Sequence, residues 1–163
     1  LAALPERHAT SFVTHSLGGI VARRLLVDHT ADIAHLTPRR LFMIAPPSQG
    51  ARLAARLDSA PFRAVFGPSG QRMAQVHRGE LGEVAPRPTI PFGIVAGTLR
   101  GGRGVNPLIE GDDDGVVGVS EAALPGAELF ALVESPHTFI MNHPETIARC
   151  LEFLGRGAPG PAA

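Results

Sequence analysis

The chain has 163 residues, 44% of them hydrophobic and 18% charged, which fits one domain with a real core and excludes a disordered chain. Fifteen basic residues balance fifteen acidic ones, so neither a nucleic-acid binder with a basic excess nor a polybasic membrane anchor is expected. All fifteen basic residues are Arg, and Tyr and Trp are absent, so lysine and phenol chemistry are excluded; the lone Cys150 can form neither an internal disulfide nor a multi-cysteine metal site.

In chain order, Thr10 to Thr14 reads as a short buried strand. A helix follows at once, with Gly18, Val21, Ala22, Leu25 and Leu26 on one face and Arg23, Arg24 and Asp28 opposite. Three more apolar runs read as strands covered on both faces: Arg40 to Ala45, Pro91 to Gly97 and Glu128 to Val133. The stretch from Ala51 to Arg87 fits least well: a helical piece at Ala51 to Leu57 precedes a Gly/Pro-broken segment holding Met73 and Val76, which reads either as a lid-like excursion, favoured by its length, or as ordinary crossover helices. The last helix starts at Pro144. Its apolar stripe is Ile147, Cys150, Leu151 and Leu154, and Glu145, Arg149, Glu152 and Arg156 form i, i+4 pairs on the other side. Ala158 to Ala163 reads as a frayed tail. Strands alternating with helices predict an α/β fold with a mostly parallel sheet and flanking helices, in one domain over 1–157. No run is long and apolar enough to span a membrane. No targeting signal is visible; the chain begins at Leu1, which leaves an upstream segment open and a cytoplasmic location as the default.

Three segments carry chemistry. In Val13-Thr14-His15-Ser16-Leu17-Gly18-Gly19 a strand ends, a serine sits at the turn and a glycine-rich helix begins. This is the arrangement of a nucleophile elbow, which lifts a serine hydroxyl out at the carboxyl edge of a sheet. The other reading of Ser16 is a helix N-cap. In Gly111-Asp112-Asp113-Asp114-Gly115-Val116-Val117, three consecutive carboxylates lack the alternating spacing of a calcium loop; a solvated acidic turn is the plain alternative. Ser135-Pro136-His137-Thr138-Phe139 follows the fourth strand, and His143 lies six residues on, beside Pro144.

These segments resemble the α/β-hydrolase family, specifically its lipase/esterase-like members. The resemblance implies the later portion of that fold, with the early strands and the loop carrying a second oxyanion donor absent. It implies Ser16 as nucleophile, Asp114 as acid through its spacing to Val117, with Asp113 and Asp112 as the next candidates, and His137 as base, with His143 as competitor. Ser, then Asp, then His is the expected order. The Leu17 N–H would serve as an oxyanion donor at a helix N-terminus. His15 reads as a supporting or pocket residue. Thr14 departs from the usual Gly-x-Ser-x-Gly, and Ala45-Pro46-Pro47-Ser48-Gln49-Gly50 is similar to a loop bordering the pocket in these relatives.

The implied activity is carboxylic-ester hydrolysis through an acyl-enzyme, with no metal and no organic cofactor. Leu41 to Ala45, Phe62, Phe66, Phe92 and Phe139 together point to an apolar acyl group on a small-molecule ester, although each phenylalanine taken singly reads more readily as core. An acyltransferase or thioesterase with the same triad, or a non-catalytic binding module, are the alternatives. The short N-terminal side predicts a poor catalyst with an uncovered sheet edge.

Overall fold

In the computed structural model, residues 8–49 and 85–156 are described. The helical piece at 51–57, most of the excursion at 51–87, Phe62, Phe66, Met73, Val76 and the tail from 158 lie outside them.

Four strands form one parallel sheet in the order β1-β2-β3-β4: β1 His8–His15, β2 Leu36–Ile44, β3 Phe92–Thr98 and β4 Leu129–Glu134. Helix α1 spans Leu17–Asp28, the single turn α2 spans Val119–Ala122, and α3 spans Pro144–Gly155 after a 3-10 turn at Ile140–Asn142.

Every residue of β3 is buried, and β2 is buried from Arg40 onward, as continuous apolar runs between two layers require. β2 begins four residues earlier than its apolar run. The extension passes through Pro38, and the β1–β2 register shifts there, between Thr10 and Ser11; a residue without an N–H is accommodated at such a bulge. On one face of the sheet, Ala22 and Leu26 of α1 pack with Leu41, Met43, Phe92 and Ile94. On the other, Phe153 of α3 and Ile140 pack with Phe42, Ile44, Val95 and Val133. Each fully buried side chain of this size contributes about 1.5–3 kcal/mol.

Both helices keep part of the predicted stripe inward and are rotated from the rest: Ala22 and Leu26 of α1 are buried with Leu25 half-buried beside them, and Cys150 and Leu154 of α3 pack half-buried against the core. In α1 the buried positions are Gly19, Ile20, Ala22, Arg23 and Leu26, while Val21 is exposed. Arg23 can be buried because its guanidinium donates to the carbonyl oxygens of Ala85 and Pro86, so the cation is never left without acceptors. In α3, Thr146 and Phe153 are buried, whereas Ile147 and Leu151 are exposed. Phe153 sets this rotation: its ring packs 5.9 Å from Phe42 and under the Arg40 guanidinium, which pairs with Glu128 at 3.1 Å. The Glu145–Arg149 and Glu152–Arg156 pairs form on the solvent side.

Arg23 fastens α1 to the segment entering β3. Arg23→Leu is expected to lower stability by about 2 kcal/mol, because two carbonyls lose a charged donor in a buried place. The urea midpoint measures this; an unchanged midpoint would show that the two bonds add nothing net.

Candidate functional site

β1 ends at His15 and α1 begins at Leu17, so Ser16 alone makes the turn. Its backbone adopts φ 53 and ψ −125, a left-handed φ that non-glycine residues seldom take. The Ser16 N–H donates to Ile44 O at 2.8 Å, and Ser16 O accepts from the Gly19 N–H at 3.0 Å, which holds the turn at both ends. The serine side chain makes no capping bond to α1. The N-cap reading of Ser16 therefore does not describe this turn. Thr14 fits because Gly18 faces it: a Cβ on Gly18 would lie 3.3 Å from the Thr14 Cβ.

Instead, Ser16 Oγ lies 3.0 Å from His137 Nε2. The opposite ring nitrogen, Nδ1, lies 2.7 Å from Asp114 Oδ2. A carboxylate can only accept, so Nδ1 carries the proton; Nε2 is then bare and accepts from the serine hydroxyl. The other Asp114 oxygen accepts from the N–H groups of Val116 (3.0 Å) and Val117 (2.7 Å). All three side chains are buried, Asp114 at 2% exposure, His137 at 7% and Ser16 at 9%. Little water screens the charges that proton transfer would create there.

The three consecutive aspartates take three different partners. Asp113 is buried and turned away from His137, accepting from the N–H groups of Val105, Asn106 and Gly115. Asp112 accepts from the Thr98 hydroxyl. Only Asp114 reaches the histidine. His143 caps α3, its Nδ1 accepting from the Glu145 N–H at 3.2 Å. Leu17, as the first residue of α1, occupies a position whose N–H has no intrahelical partner. The loop 46–49 lies over this helix end: a Cβ on Gly19 would come within 3.0 Å of the Pro46 Cβ. Gly50 lies outside the described residues.

Of the residues behind the apolar-acyl expectation, Leu41 to Ala45 and Phe92 are core of the sheet at 5% exposure or less, in line with the reading of the phenylalanine as core. Phe139, two residues from His137, is the exposed member of that set among the described residues, at 65%. Among the described residues, no group of three or more His, Cys, Asp or Glu side chains is placed to hold a metal ion, and no helix is long and apolar enough to cross a membrane.

Gly97 belongs to the site, although sequence reasoning passed over it. A Cβ there would lie 2.5 Å from the Asp114 Cβ and 3.0 Å from its Oδ2. Its signal is a glycine in a strand interior, which marks close backbone approach. Gly97→Ala is expected to push Asp114 off His137 and to cut turnover by roughly 10²-fold while the chain still folds. Steady-state kinetics beside a circular dichroism spectrum checks this; full activity would show that Asp114 can step aside at no loss.

His15 is half-buried, and its Nε2–H donates to the backbone carbonyl of His137 at 3.0 Å. Burial first, then the neighbouring His137, lowers its pKa below the ordinary value of 6.5, partly opposed by its own hydrogen bond and by Asp114. Folded His15 thus refuses a proton that the unfolded chain accepts. Stability should fall as pH drops below about 6.5, until His15 itself titrates in the folded state. Urea midpoints measured from about pH 7.5 to about pH 5.5 should fall more steeply in the natural chain than in His15→Gln, whose amide cannot titrate. Parallel slopes would refute it.

A comparison with protein-family models gives no match, and neither does one with curated protein sequences. Solved structures do match. The chain is similar to the mature lipase BlEst2 of Bacillus licheniformis, at 18% identity and a TM-score of 0.68, over 90% of this chain and 66% of that one. It is similar to the metagenomic carboxyl esterase MGS0156 at 20% identity and 0.57, over 83% and 47%. A Listeria innocua protein, the lin2722 gene product, matches at 19% and 0.55, over 94% and 60%. The chain thus spans from about half to just under two thirds of the length of these structures. At such identities the likeness is one of fold: four parallel strands with flanking helices, consistent with part of an α/β-hydrolase fold.

Proposed function

We propose that this chain carries the serine centre of a carboxylic-ester hydrolase, with Ser16 as nucleophile, His137 as general base and acid, and Asp114 as the group that orients His137. The observation that carries this reading is the continuous hydrogen-bonded path from Ser16 Oγ through both nitrogens of His137 to Asp114.

A serine hydroxyl is a weak nucleophile near neutral pH, so it needs a base within reach. His137 Nε2 takes the hydroxyl proton as Ser16 Oγ bonds to the ester carbonyl carbon. The carbonyl electrons move onto oxygen, where the Leu17 N–H at the start of α1 donates to the new oxyanion. The tetrahedral intermediate collapses, the alcohol leaves with the proton from His137, and the acyl group remains on Ser16. Water then gives its proton to Nε2 and attacks the same carbon; the Ser16 ester bond breaks, and the proton returns to Oγ. Asp114 stays ionised and stabilises the imidazolium at each step. None of these steps calls on a metal or an organic cofactor.

The substrate is a small-molecule ester, and exposed Phe139, two residues along the chain from His137, supports an apolar acyl group. A fluorophosphonate probe tests the serine, since it reacts only with an activated hydroxyl: the full chain should be labelled at Ser16, and Ser16→Ala should not. Absence of labelling in the natural chain would overturn the reading. In a series of p-nitrophenyl esters, activity confined to acetate would count against an apolar acyl site.

A further inference from the structure

We propose that His15 is a positioning residue: its Nε2–H, held on the His137 carbonyl, keeps His137 aligned on the elbow when Ser16 no longer can. The inference rests on the ester-hydrolase reading and concerns the second half of that reaction.

His137 is fastened to its surroundings by four described hydrogen bonds. Two run to the acid loop: its N–H donates to Asp114 O at 3.0 Å, and its Nδ1–H donates to the Asp114 carboxylate. Two run to the elbow: Ser16 Oγ to Nε2, and His15 Nε2–H to the His137 carbonyl. The two elbow bonds differ in what the reaction does to them. Once Ser16 Oγ carries an acyl group it has no proton to donate, and the Nε2 bond is lost. His15 then holds the remaining described link between His137 and the strand that bears the acyl ester. That link bridges 122 positions of sequence, and the two rings stand 4.8 Å apart, so a change in the His137 loop moves directly against His15. His137 must at that moment aim Nε2 at a water rather than at Oγ. A displacement on the order of 1 Å at this stage is costly in rate.

The residue types are suited to the task. His15 sits at the last position of β1, adjacent in sequence to Ser16, so its backbone is fixed by the sheet and by the elbow itself. A hydrogen bond to a carbonyl needs the neutral or charged ring with Nε2 protonated, and burial together with the neighbouring His137 favours the neutral form, against the smaller opposing pull of the bond itself and of Asp114. Neutral His15 adds no positive charge beside the imidazolium that His137 becomes.

The test compares His15→Leu, which keeps bulk but loses the donor, with His15→Gln, whose amide Nε2–H takes the place of the ring donor. On a p-nitrophenyl ester, His15→Leu should lose about tenfold in kcat with a parallel fall in KM, and should show a burst of p-nitrophenol, because acyl-enzyme accumulates. His15→Gln should restore kcat and remove the burst. A merely space-filling His15 would be replaced as well by Leu as by Gln. Equal kinetics in Leu and the natural chain, or loss in both variants with folding intact, would overturn the proposal. Imidazole proton spectra supply a readout that needs no turnover. The His137 Nδ1 proton should stay sharp in the natural chain and in His15→Gln, and broaden by exchange in His15→Leu; a sharp signal in all three would overturn the tie itself. If the natural chain neither hydrolyses esters nor takes the fluorophosphonate, the ester reading fails, and the spectra still decide whether His15 holds His137.

Discussion

Ser16→Ala is expected to abolish ester turnover, by on the order of 10⁴–10⁶-fold, and to leave the folded chain as stable as before. The two halves of that expectation have separate causes. In the proposed mechanism the hydroxyl is the protein group that bonds to the ester carbon, and neither flanking residue can replace it: His15 directs its ring nitrogen to the His137 carbonyl, and Leu17 has no nucleophilic atom. Stability, by contrast, draws little from the hydroxyl. It makes no cap to α1, so the usual loss of about 1 kcal/mol on removing a capping serine does not apply. What remains is one bond to a neutral imidazole, worth about 1 kcal/mol at most, against a backbone held at φ 53 in both proteins. Ester hydrolysis and a urea melt on the same preparation separate these terms. A variant that turned over ester at a tenth of the natural rate would remove Ser16 from the reaction. One that lost several kcal/mol of stability would return it to the role of a structural cap.

Much of this geometry is visible in the order of residues, for physical reasons that can be named. A buried parallel strand must be apolar on both faces, so β2 and β3 stand out as uninterrupted runs, and a serine between a strand and two glycines marks a turn of little volume; the strand before Ser16 reads as buried, but β1 lies at the end of the strand order with no residue fully buried. Local periodicity does less well wherever a distant partner changes a residue's solvation. Arg23 looks like a solvent residue until the carbonyls of Ala85 and Pro86 receive it, 62 and 63 positions away. Phe153 lies outside the stripe drawn through Ile147, Cys150, Leu151 and Leu154, yet its ring fills the space over Phe42, so Cys150 and Leu154 stay against the core while Ile147 and Leu151 face solvent. The clearance at Gly97 and the tie from His15 are contacts between segments far apart in sequence, and no spacing rule carries them. Choosing among Asp112, Asp113 and Asp114 is of the same kind. Their side chains are alike, and only the loop backbone decides which one faces the histidine.

That choice yields the second large effect. Asp114→Asn is expected to reduce turnover by roughly 10⁴-fold with the loop intact, whereas Asp113→Asn should leave turnover nearly unchanged and lower stability. In Asp114→Asn, the amide oxygen can still accept from the N–H groups of Val116 and Val117, so the turn keeps its bonds. The amide NH₂ then faces His137 and can only donate. To meet it, His137 must present a bare Nδ1 and carry its proton on Nε2, facing Ser16 Oγ with a donor where an acceptor is required. The imidazolium formed during reaction also loses the negative charge beside it. At Asp113 the same exchange touches nothing on His137. It leaves the N–H groups of Val105, Asn106 and Gly115 competing for a single amide oxygen, with an NH₂ set against donors, at a cost of about 1–3 kcal/mol. Rate and urea midpoint should therefore move in opposite patterns across the two variants. Equal loss of turnover in both, with the fold retained, would mean that the acid loop acts as a unit and that Asp114 has no separate hold on the histidine.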